Sequence, residues 1–398
     1  MDATYRITWI THYAELYGAN RSMLDLMLEL RRRGIAEPTV ILPREGPLGT
    51  ALVQEGIAHT VIDLRPWMSE RTYMGGPHHR VMQYLRYRKA ARERAAHNRA
   101  MLPLVLAQLR TWGSDAVHLN SAAVPMGAAI QQHSGLPLIW HIRELPEDQY
   151  LLHLDSGRRA YGRALRSADR LIAISKAVRT DIHRYTGQDT DIPVIYNGVL
   201  RTADHVRLAQ RASERHWDGV VFNFCLIGLI HPSKGQIEAV EALALVRRKH
   251  PEARLIIAGT GRDQELRATI ERTGQAEAVE MAGFVSDPFS ILERSHTLLM
   301  CSRNEAMGRV TVEAMASGIP VIGHASGGTT ELVEHGINGY RYTEGAAELA
   351  DRMMRMIEHP EMARQLGAKG AEMAAERFTI ERYANEIAKV YDAVFSRA

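Results

Sequence analysis

The sequence predicts an α/β protein built from two Rossmann-like, doubly wound domains in tandem. Short β-rich runs alternate with helical patterns along nearly the whole chain, as expected for mostly parallel sheets covered on both faces. The alternation restarts after Asn197-Gly198, and 398 residues exceed one ordinary domain. We therefore predict domains at 1–198 and 199–379. Such domains bind ligands beyond the carboxyl ends of their strands, so two that face each other would form a cleft.

The first domain opens with a β-rich run and an amphipathic helix. Residues 21–34 place Met23, Leu26, Met27 and Leu30 on one helical face, and Gly34 is a suitable residue to end that helix. The predicted strands of this domain are 5–10, 38–43, 115–120, 136–142, 170–175 and 192–196.

The second domain repeats the pattern. A helix is predicted over 236–250, with basic residues in its last turn where the helix dipole favours them. The stretch 199–219 is polar and irregular, which predicts a linker. The predicted strands are 220–230, 254–259, 279–284, 297–302 and 320–324.

Composition indicates an ordinary globular protein. The chain is 45% hydrophobic and 24% charged, and no apolar run approaches the roughly 18 residues that a membrane helix needs. Its start lacks the basic segment of a signal peptide. Cys225 and Cys301 lie in apolar runs, which favours buried reduced thiols over a metal or redox pair. We expect a soluble, cytoplasmic protein.

The net charge of +3 hides a basic segment in the first half. Between Arg71 and Arg99 the chain carries many arginines and a single acid, Glu93. This run is either a solvated helix face or a patch for anionic lipid or phosphate, which would place the protein at the inner leaflet of the membrane. No nucleic-acid motif accompanies it, so we expect no nucleic-acid partner.

Two glutamates eight positions apart mark the stretch "NEAMGRVTVEAMASGIP". Glu305 follows the predicted strand 297–302, and Glu313 lies on a helix that begins at Arg309 or Val310. The N–H groups of the first helical turn attract an anionic ligand, and a carboxylate accepts hydrogen bonds from sugar hydroxyls. From spacing alone, a helix cap at Glu305 and a surface acid at Glu313 are favoured instead.

Two further segments follow strand ends of the same domain. Gly327-Gly328 precede a helix that begins near Thr329, and glycine pairs there expose N–H groups to phosphate. Lys234-Gly235 follow the strand that ends at Gly228, and Lys234 is a candidate point charge on a phosphate. Each signal is weak alone, but all three lie at the carboxyl ends of strands of one sheet.

Together these segments resemble retaining GT-B glycosyltransferases of glycosyltransferase family 4, the group 1 glycosyl transferases. The E-x(7)-E motif is matched by Glu305 and Glu313, a GG-x-x-E segment by "GGTTE", and a KG pair by Lys234-Gly235. "YGANRSMLDLMLELRRRG", which contains Gly18, resembles the family's glycine loop and first helix. "ERFTIERYANEIAKVYDAVF" resembles the last helices, which cross back to the first domain, so about 380–398 is assigned there.

The resemblance implies a role for each matched residue. Glu305 would contact the hydroxyls of the donor sugar, Glu313 the ribose, and His141 the donor sugar from the first domain. Taken without the resemblance, His141 is a plain loop histidine. Arg143 is a weaker candidate for the same cleft. The other implied donor-binding residues are Gly18, Gly228, Lys234, Phe284, Val285, Met307, Gly308, Arg309, Val310, Gly327, Gly328 and Thr329, with Phe284-Val285 at the base and the glycine pair at the diphosphate.

One departure from the family pattern affects the phosphate site. The family usually has Gly-Arg before the KG pair, whereas this chain has Gly228-Leu229. Lys234 would then be the main cation, helped by Arg309 or Arg143. We also expect no cofactor and no essential metal.

The resemblance implies a retaining glycosyltransferase that uses a UDP- or GDP-linked sugar. The acceptor would be a glycan or lipid-linked molecule in surface polysaccharide or glycolipid synthesis. Two alternatives stay open: a nucleotide-sugar epimerase, and a nucleotide-sugar-binding module that has lost catalysis, which Leu229 supports.

Overall fold

The computed structural model describes residues 4–70, 77–213 and 219–396. The chain divides into two compact units, one formed by Met1–Gly198 with Ile380–Ala398 and the other by Val199–Thr379. Nowhere in the described ranges is a helix long and apolar enough to cross a membrane.

The first unit contains a six-stranded sheet in which all strands run parallel. Its strand order is β3-β2-β1-β5-β6-β8. From β1 the chain adds β2 and β3 on one side, and then adds β5, β6 and β8 on the other side. The strands are β1 (Tyr5–Ile10), β2 (Ala36–Leu42), β3 (Ala58–Val61), β4 (Met68–Glu70), β5 (Ala116–Leu119), β6 (Leu138–Ile142), β7 (Leu152–Leu154) and β8 (Arg170–Ala173), and the helices are α1 (Gly18–Arg32), α2 (Pro47–Gln54), α3 (Pro77–Trp112), α4 (Gly127–Ser134), α5 (Gly157–Arg166) and α6 (Lys176–Thr186). β4 and β7 form a separate antiparallel pair.

The second unit repeats this topology. Its parallel sheet has the order β11-β10-β9-β12-β13-β14, which is the same outward and return path. The strands are β9 (Phe222–Ile227), β10 (Ala253–Ala258), β11 (Val279–Gly283), β12 (Thr297–Met300), β13 (Val321–His324) and β14 (Gly339–Tyr342), and the helices are α7 (Thr202–Ser213), α8 (Gln236–Val246), α9 (Gln264–Arg272), α10 (Phe289–Leu292), α11 (Arg309–Ala316), α12 (Thr329–Leu332), α13 (Gly345–Glu358) and α14 (Pro360–Arg377). The predicted doubly wound α/β architecture is confirmed.

Two local predictions are wrong. The polar stretch 199–219 is not an irregular linker, because α7 lies within it and packs on α14. Leu208 is buried in α7, and Ala212 lies one turn further along, against Gly318. The run 192–196 is not a strand: Val194 makes a single bridge to Ala173, next to Pro193, which has no N–H to donate to a ladder.

The basic run is helical where it is described. It occupies the amino-terminal part of α3, and Arg71 to Gly76 of the predicted patch lie outside the described residues. Arg86, Arg88, Lys89 and Arg92 are exposed there.

The chain ends in α15 (Ile380–Phe395), which belongs to the first unit and packs against α1. Tyr383, Ile387 and Tyr391 are buried in the same core as Met23 and Leu26 of α1. The last helix therefore contributes to the hydrophobic core of the first domain.

Replacing a core residue of α15 tests this contribution. Ile387→Ala should lower the free energy of unfolding by about 2–5 kcal/mol, because it leaves a cavity in a site that is fully buried. Denaturant unfolding followed by circular dichroism measures it. The control Lys389→Ala lies on the exposed face and should change stability by less than about 0.5 kcal/mol. Equal effects of the two substitutions would contradict a core role for α15.

Candidate active site

The centre of the candidate site is an ion pair between strands β9 and β12. These two strands are neighbours at the point where the order of the sheet reverses, which is where ligands bind in such sheets. Lys234 lies in a short 3-10 turn after β9, and Glu305 lies in the loop after β12. Lys234 Nζ donates to Glu305 Oε2 at 2.6 Å, and the two side chains are only 15% and 11% exposed.

Gly235 allows the lysine to come this close. Its backbone has a φ of 71°, and a Cβ there would lie 2.6 Å from the Cβ and carbonyl oxygen of Cys301 at the end of β12. Only glycine fits this close approach without strain. The KG pair therefore sets the distance between the β9 turn and the Glu305 loop.

Gly327 and Gly328 hold the Glu305 loop from the other side. A Cβ at Gly327 would lie 2.5 Å from the carbonyl oxygen of Glu305, and a Cβ at Gly328 would overlap the carbonyl oxygen of Ala306. The Gly328 N–H donates to the Glu305 carbonyl at 2.6 Å. This N–H therefore already has a partner in the Glu305 loop, and its role as a phosphate donor stays a prediction.

Helix α11 places Glu313 and Arg309 together one turn apart. Arg309 Nε donates to Glu313 Oε1 at 3.0 Å, and Arg309 Nη2 donates to the carbonyl oxygen of Val199. Glu313 is buried, so its interpretation as a surface acid is wrong. Gly308, the residue before α11, has a φ of 86°.

Two apolar side chains lie exposed after strands β11 and β9, which are separated by β10 in the sheet. Phe284 follows β11 and is 62% exposed, whereas the next residue, Val285, is half-buried. Leu229 follows Gly228 after β9 and is 43% exposed. It occupies the position where an arginine was expected from the family pattern.

The remaining predicted positions are distributed between core and surface. Gly18 is the exposed first residue of α1. Met307 and Thr329 are buried, and Thr329 Oγ1 has no hydrogen-bond partner among the described residues. Val310 lies in the first turn of α11 and is half-buried.

His141 is a buried strand residue in the first unit. It lies within β6 and is fully buried, so its interpretation as a loop histidine is wrong. Its Nδ1 lies 3.4 Å from His118 Nε2 and 3.4 Å from Arg143 Nη2. His118 Nδ1 in turn lies 2.9 Å from the hydroxyl of Tyr391 on α15.

These contacts show which ring nitrogens of His141 and His118 carry a proton. A guanidinium can only donate, so His141 Nδ1 is an acceptor and the proton of the neutral ring is on Nε2. Burial, reinforced by the charge of Arg143, holds the pKa of both histidines well below the ordinary value, so both rings are neutral. His141 Nε2 has no hydrogen-bond partner among the described residues, which leaves a buried N–H donor at the end of β6.

Arg143 is a structural residue in this unit. Its guanidinium donates to Asn120 Oδ1 at 2.7 Å, Asn197 Oδ1 at 2.6 Å and the Tyr383 hydroxyl at 2.8 Å, and it is buried. These three partners hold Arg143 within the first unit, and its supplementing Lys234 on a phosphate stays a prediction. Reasoning from the sequence missed its partners Asn120, Asn197 and Tyr383. The one available signal was a second polar residue, His118, inside an apolar strand.

No metal site is formed by the described side chains: no three His, Cys, Asp or Glu residues among them are grouped to hold an ion. The expectation of a metal-independent reaction stays a prediction.

The buried histidines predict a stability that falls in acid. The unfolded chain protonates each histidine near pH 6.5, whereas the folded chain keeps His118 and His141 neutral, so the unfolded state binds more protons below that pH. Between pH 7.5 and 5.5 each should cost about 1.4 kcal/mol of stability. His118→Asn should reduce this loss by about that amount in denaturant unfolding at the two pH values.

Asp181 acts in the opposite direction but does not obscure this test. Burial raises its pKa to about 6, so the folded state binds its proton more readily than the unfolded state as the pH falls below 6. The contribution is the same in wild type and variant, and the difference between them isolates His118. An identical pH dependence of the two proteins would contradict the neutral-histidine assignment.

The glycine pair predicts a steric effect on the Glu305 loop. Gly328→Ala should displace this loop and lower stability by about 1–3 kcal/mol, as overpacking does. Gly370→Ala is the matched control, because a Cβ at this helical position meets only ordinary contacts, and it should be neutral or stabilising. Thermal unfolding compares the two. A Gly328→Ala protein as stable as the control would show that the loop does not need this close approach.

Comparisons with known proteins agree with this architecture. Residues 17–200 match the family model described as Glycosyltransferase Family 4, and residues 219–373 match the model described as Glycosyl transferases group 1. N-acetyl-alpha-D-glucosaminyl L-malate synthase of Bacillus anthracis is 24% identical over 57% of this chain and 60% of its own length. D-inositol 3-phosphate glycosyltransferase of Jonesia denitrificans is 31% identical over 56% of each chain.

Solved structures share the whole fold. HepE of Anabaena in complex with UDP and glucose has a TM-score of 0.75 at 24% identity, covering 98% of this chain and 100% of that one. Sucrose-phosphate synthase of Thermosynechococcus elongatus has a TM-score of 0.75 at 18% identity, covering 99% and 100%. The matched segments span only 45% to 60% of the first curated relatives. Since the two family models together match most of the chain, it belongs to the group 1 glycosyl transferases of glycosyltransferase family 4, on a GT-B fold.

Proposed function

We propose that the protein transfers a sugar from a nucleotide diphosphate sugar to an acceptor hydroxyl, with retention at the anomeric carbon. The observation that carries this proposal is the Lys234–Glu305 pair at the reversal point of the second sheet, framed by three glycines that permit no Cβ. It places a cation and a carboxylate side by side at the edge of the sheet where nucleotides bind.

The pair supplies two complementary groups for a charged sugar donor. When a diphosphate binds, Lys234 exchanges Glu305 for phosphate oxygens, and Glu305 accepts hydrogen bonds from sugar hydroxyls. The bond between the anomeric carbon and the phosphate oxygen breaks, and the nucleoside diphosphate leaves with the electron pair. The acceptor oxygen forms the new bond to the anomeric carbon and passes its proton to the leaving diphosphate. The lysine ammonium stabilises the negative charge that develops on the leaving group.

The nucleoside would be held by Glu313 and Phe284. Arg309 occupies one oxygen of the Glu313 carboxylate, and Oε2 has no hydrogen-bond partner among the described residues, so it is an acceptor for ribose. Phe284 offers an exposed ring for the base. HepE is solved with UDP and with UDP-glucose, so UDP and its sugars are the first donors to test, followed by GDP-sugars.

The reaction we propose uses no metal and no cofactor, since Lys234 and the start of α11 provide the positive charge. We also propose that the N–H of His141 Nε2 donates to a sugar hydroxyl. The acceptor we propose is a glycan or a lipid-linked molecule of surface polysaccharide or glycolipid synthesis, and the exposed arginines of α3 support contact with the anionic inner leaflet.

A second candidate is a nucleotide-sugar-binding module without catalysis. The exposed Leu229 favours it, because leucine cannot donate to a diphosphate where an arginine was expected. Donor consumption and nucleoside diphosphate release, measured over a panel of acceptors with and without EDTA, distinguish the two. Binding without release on any acceptor would favour the module, and release with an altered free sugar and no acceptor would favour an epimerase.

The two glutamates should separate nucleotide binding from chemistry. Glu313→Ala should weaken UDP binding by about 1.5–3 kcal/mol, the value of charge-assisted hydrogen bonds. Glu305→Gln should bind UDP about as well as wild type while turnover of the UDP-sugar falls. Calorimetry and a diphosphate-release assay measure both.

Glu271→Gln is a matched control, since this acid is exposed on α9, lies outside every motif matched to the family and has no assigned role in binding. It should leave both measurements unchanged. Unaltered UDP affinity in Glu313→Ala would remove the ribose role. Equal losses of UDP and UDP-sugar affinity in Glu305→Gln would remove the sugar role.

A further inference from the structure

A cavity of about 370 Å³ opens in the first unit between helix α3 and the turn that joins β7 to α5. Arg88 and Arg92 line it from α3, and His153, Ser156 and Gly157 line it from the opposite side. None of these residues belongs to the candidate donor site described above.

The cavity carries uncompensated positive charge. Its one acid, Asp155, is already neutralised, because Arg94 grips it with two hydrogen bonds of 2.6 and 2.8 Å. Arg88 and Arg92 are one helical turn apart, and neither has a carboxylate within 4 Å among the described residues. Like charges at this spacing repel, so an anion between them is stabilising.

The lining suits a phosphate in shape as well as charge. Two guanidinium groups offer forked donors, which match phosphate oxygens. Tyr84 positions the first of them, since its hydroxyl accepts from Arg88 Nη1 at 3.2 Å. Ser156 and Gly157 lie at the start of the ten-residue helix α5, where backbone N–H groups point along the helix axis.

Apolar side chains continue from the cavity along the same face of α3. Val81 and Leu85 precede Arg88 and Arg92 at spacings of four, three and four residues, which keeps all four on one stripe. Val81 and Leu85 are 60% and 57% exposed. At 1.5 Å per residue, the apolar part begins about 5 Å from Arg88 and ends about 10 Å from it.

We propose that this cavity binds the phosphate headgroup of an anionic lipid, with the start of the acyl or prenyl chain lying over Val81 and Leu85. The phosphate sits between Arg88 and Arg92, and the apolar stripe leads from it towards the bilayer. That this lipid is the glycosyl acceptor rests on the proposed function, whereas the phosphate site itself does not.

The test compares two double variants of the full chain that remove the same charge. Arg88→Gln/Arg92→Gln changes the cavity, and Arg86→Gln/Arg99→Gln changes exposed arginines of α3 that do not line it. Binding is measured by co-sedimentation with phosphatidylcholine vesicles that contain phosphatidic acid, phosphatidylserine at equal charge density, or neither. Thermal unfolding checks that both variants are folded.

The cavity variant should lose at least tenfold more affinity for phosphatidic acid vesicles than the control variant, and wild type should prefer phosphatidic acid over phosphatidylserine. Equal losses in the two variants, or equal binding to the two anionic lipids, would overturn the proposal in favour of diffuse attraction to a charged surface.

A second experiment measures the binding of soluble glycerol phosphate. Val81→Ser/Leu85→Ser should weaken vesicle binding but leave glycerol phosphate binding unchanged. Unchanged vesicle binding in that variant would overturn the lipid assignment and indicate a soluble phosphate compound.

Donor consumption in the same preparations keeps the two proposals apart. Selective lipid binding without any donor consumption would leave the phosphate site and remove the proposed function. Donor consumption together with equal lipid binding by both variants would remove the site and leave the function.

Discussion

The ion pair between Lys234 and Glu305 is the interaction on which the candidate site depends. Both side chains are largely removed from water. For a buried pair, the free-energy cost of desolvating two charges is close to the Coulombic attraction gained, so the pair contributes little net stability. A pair of this kind is better explained by what it can bind. Each partner holds the other in place, and a ligand that carries both phosphate and hydroxyl groups can satisfy both at once.

The glycines around the pair are required by close packing as much as by ligand binding. Gly235 brings the β9 turn against β12, and Gly327 and Gly328 press on the loop that carries Glu305. The backbone of three neighbouring strand ends is therefore fixed before any donor arrives, which lowers the cost of ordering the site on binding. In the first unit, a buried row of hydrogen-bonded side chains, Tyr391, His118 and His141, fixes the tautomer of His141 so that its Nε2 carries the proton.

Much of the fold was predictable because its signals are local. Buried parallel strands give apolar runs in the sequence. The alternation of strands and helices starts again after Asn197-Gly198, which marks the boundary before the second sheet. The E-x(7)-E spacing and the glycine pair located the loops of the candidate site. The roles of these residues towards a donor remain predictions, because no bound donor fixes them.

What the sequence could not predict depends on contacts between distant segments. Arg143 is a residue type that often binds phosphate, but here it donates hydrogen bonds to Asn120, Asn197 and Tyr383. These residues are far apart along the chain. The N–H of Gly328 is used by Glu305 for the same reason. Helix α7 resembles a linker in sequence because only a narrow face of it is buried, so its composition is as polar as that of a loop. The cavity beside α3 is formed by residues from two distant segments, and neither segment carries a motif.

The structure of the protein crystallised with UDP-glucose, or with UDP and a free sugar, tests the central claim most directly. We expect Lys234 Nζ to leave Glu305 and lie within hydrogen-bond distance of the diphosphate, with the Glu305 carboxylate on hydroxyls of the sugar and Glu313 on the ribose. A nucleotide bound elsewhere while Lys234 and Glu305 remain paired at 2.6 Å would contradict the account.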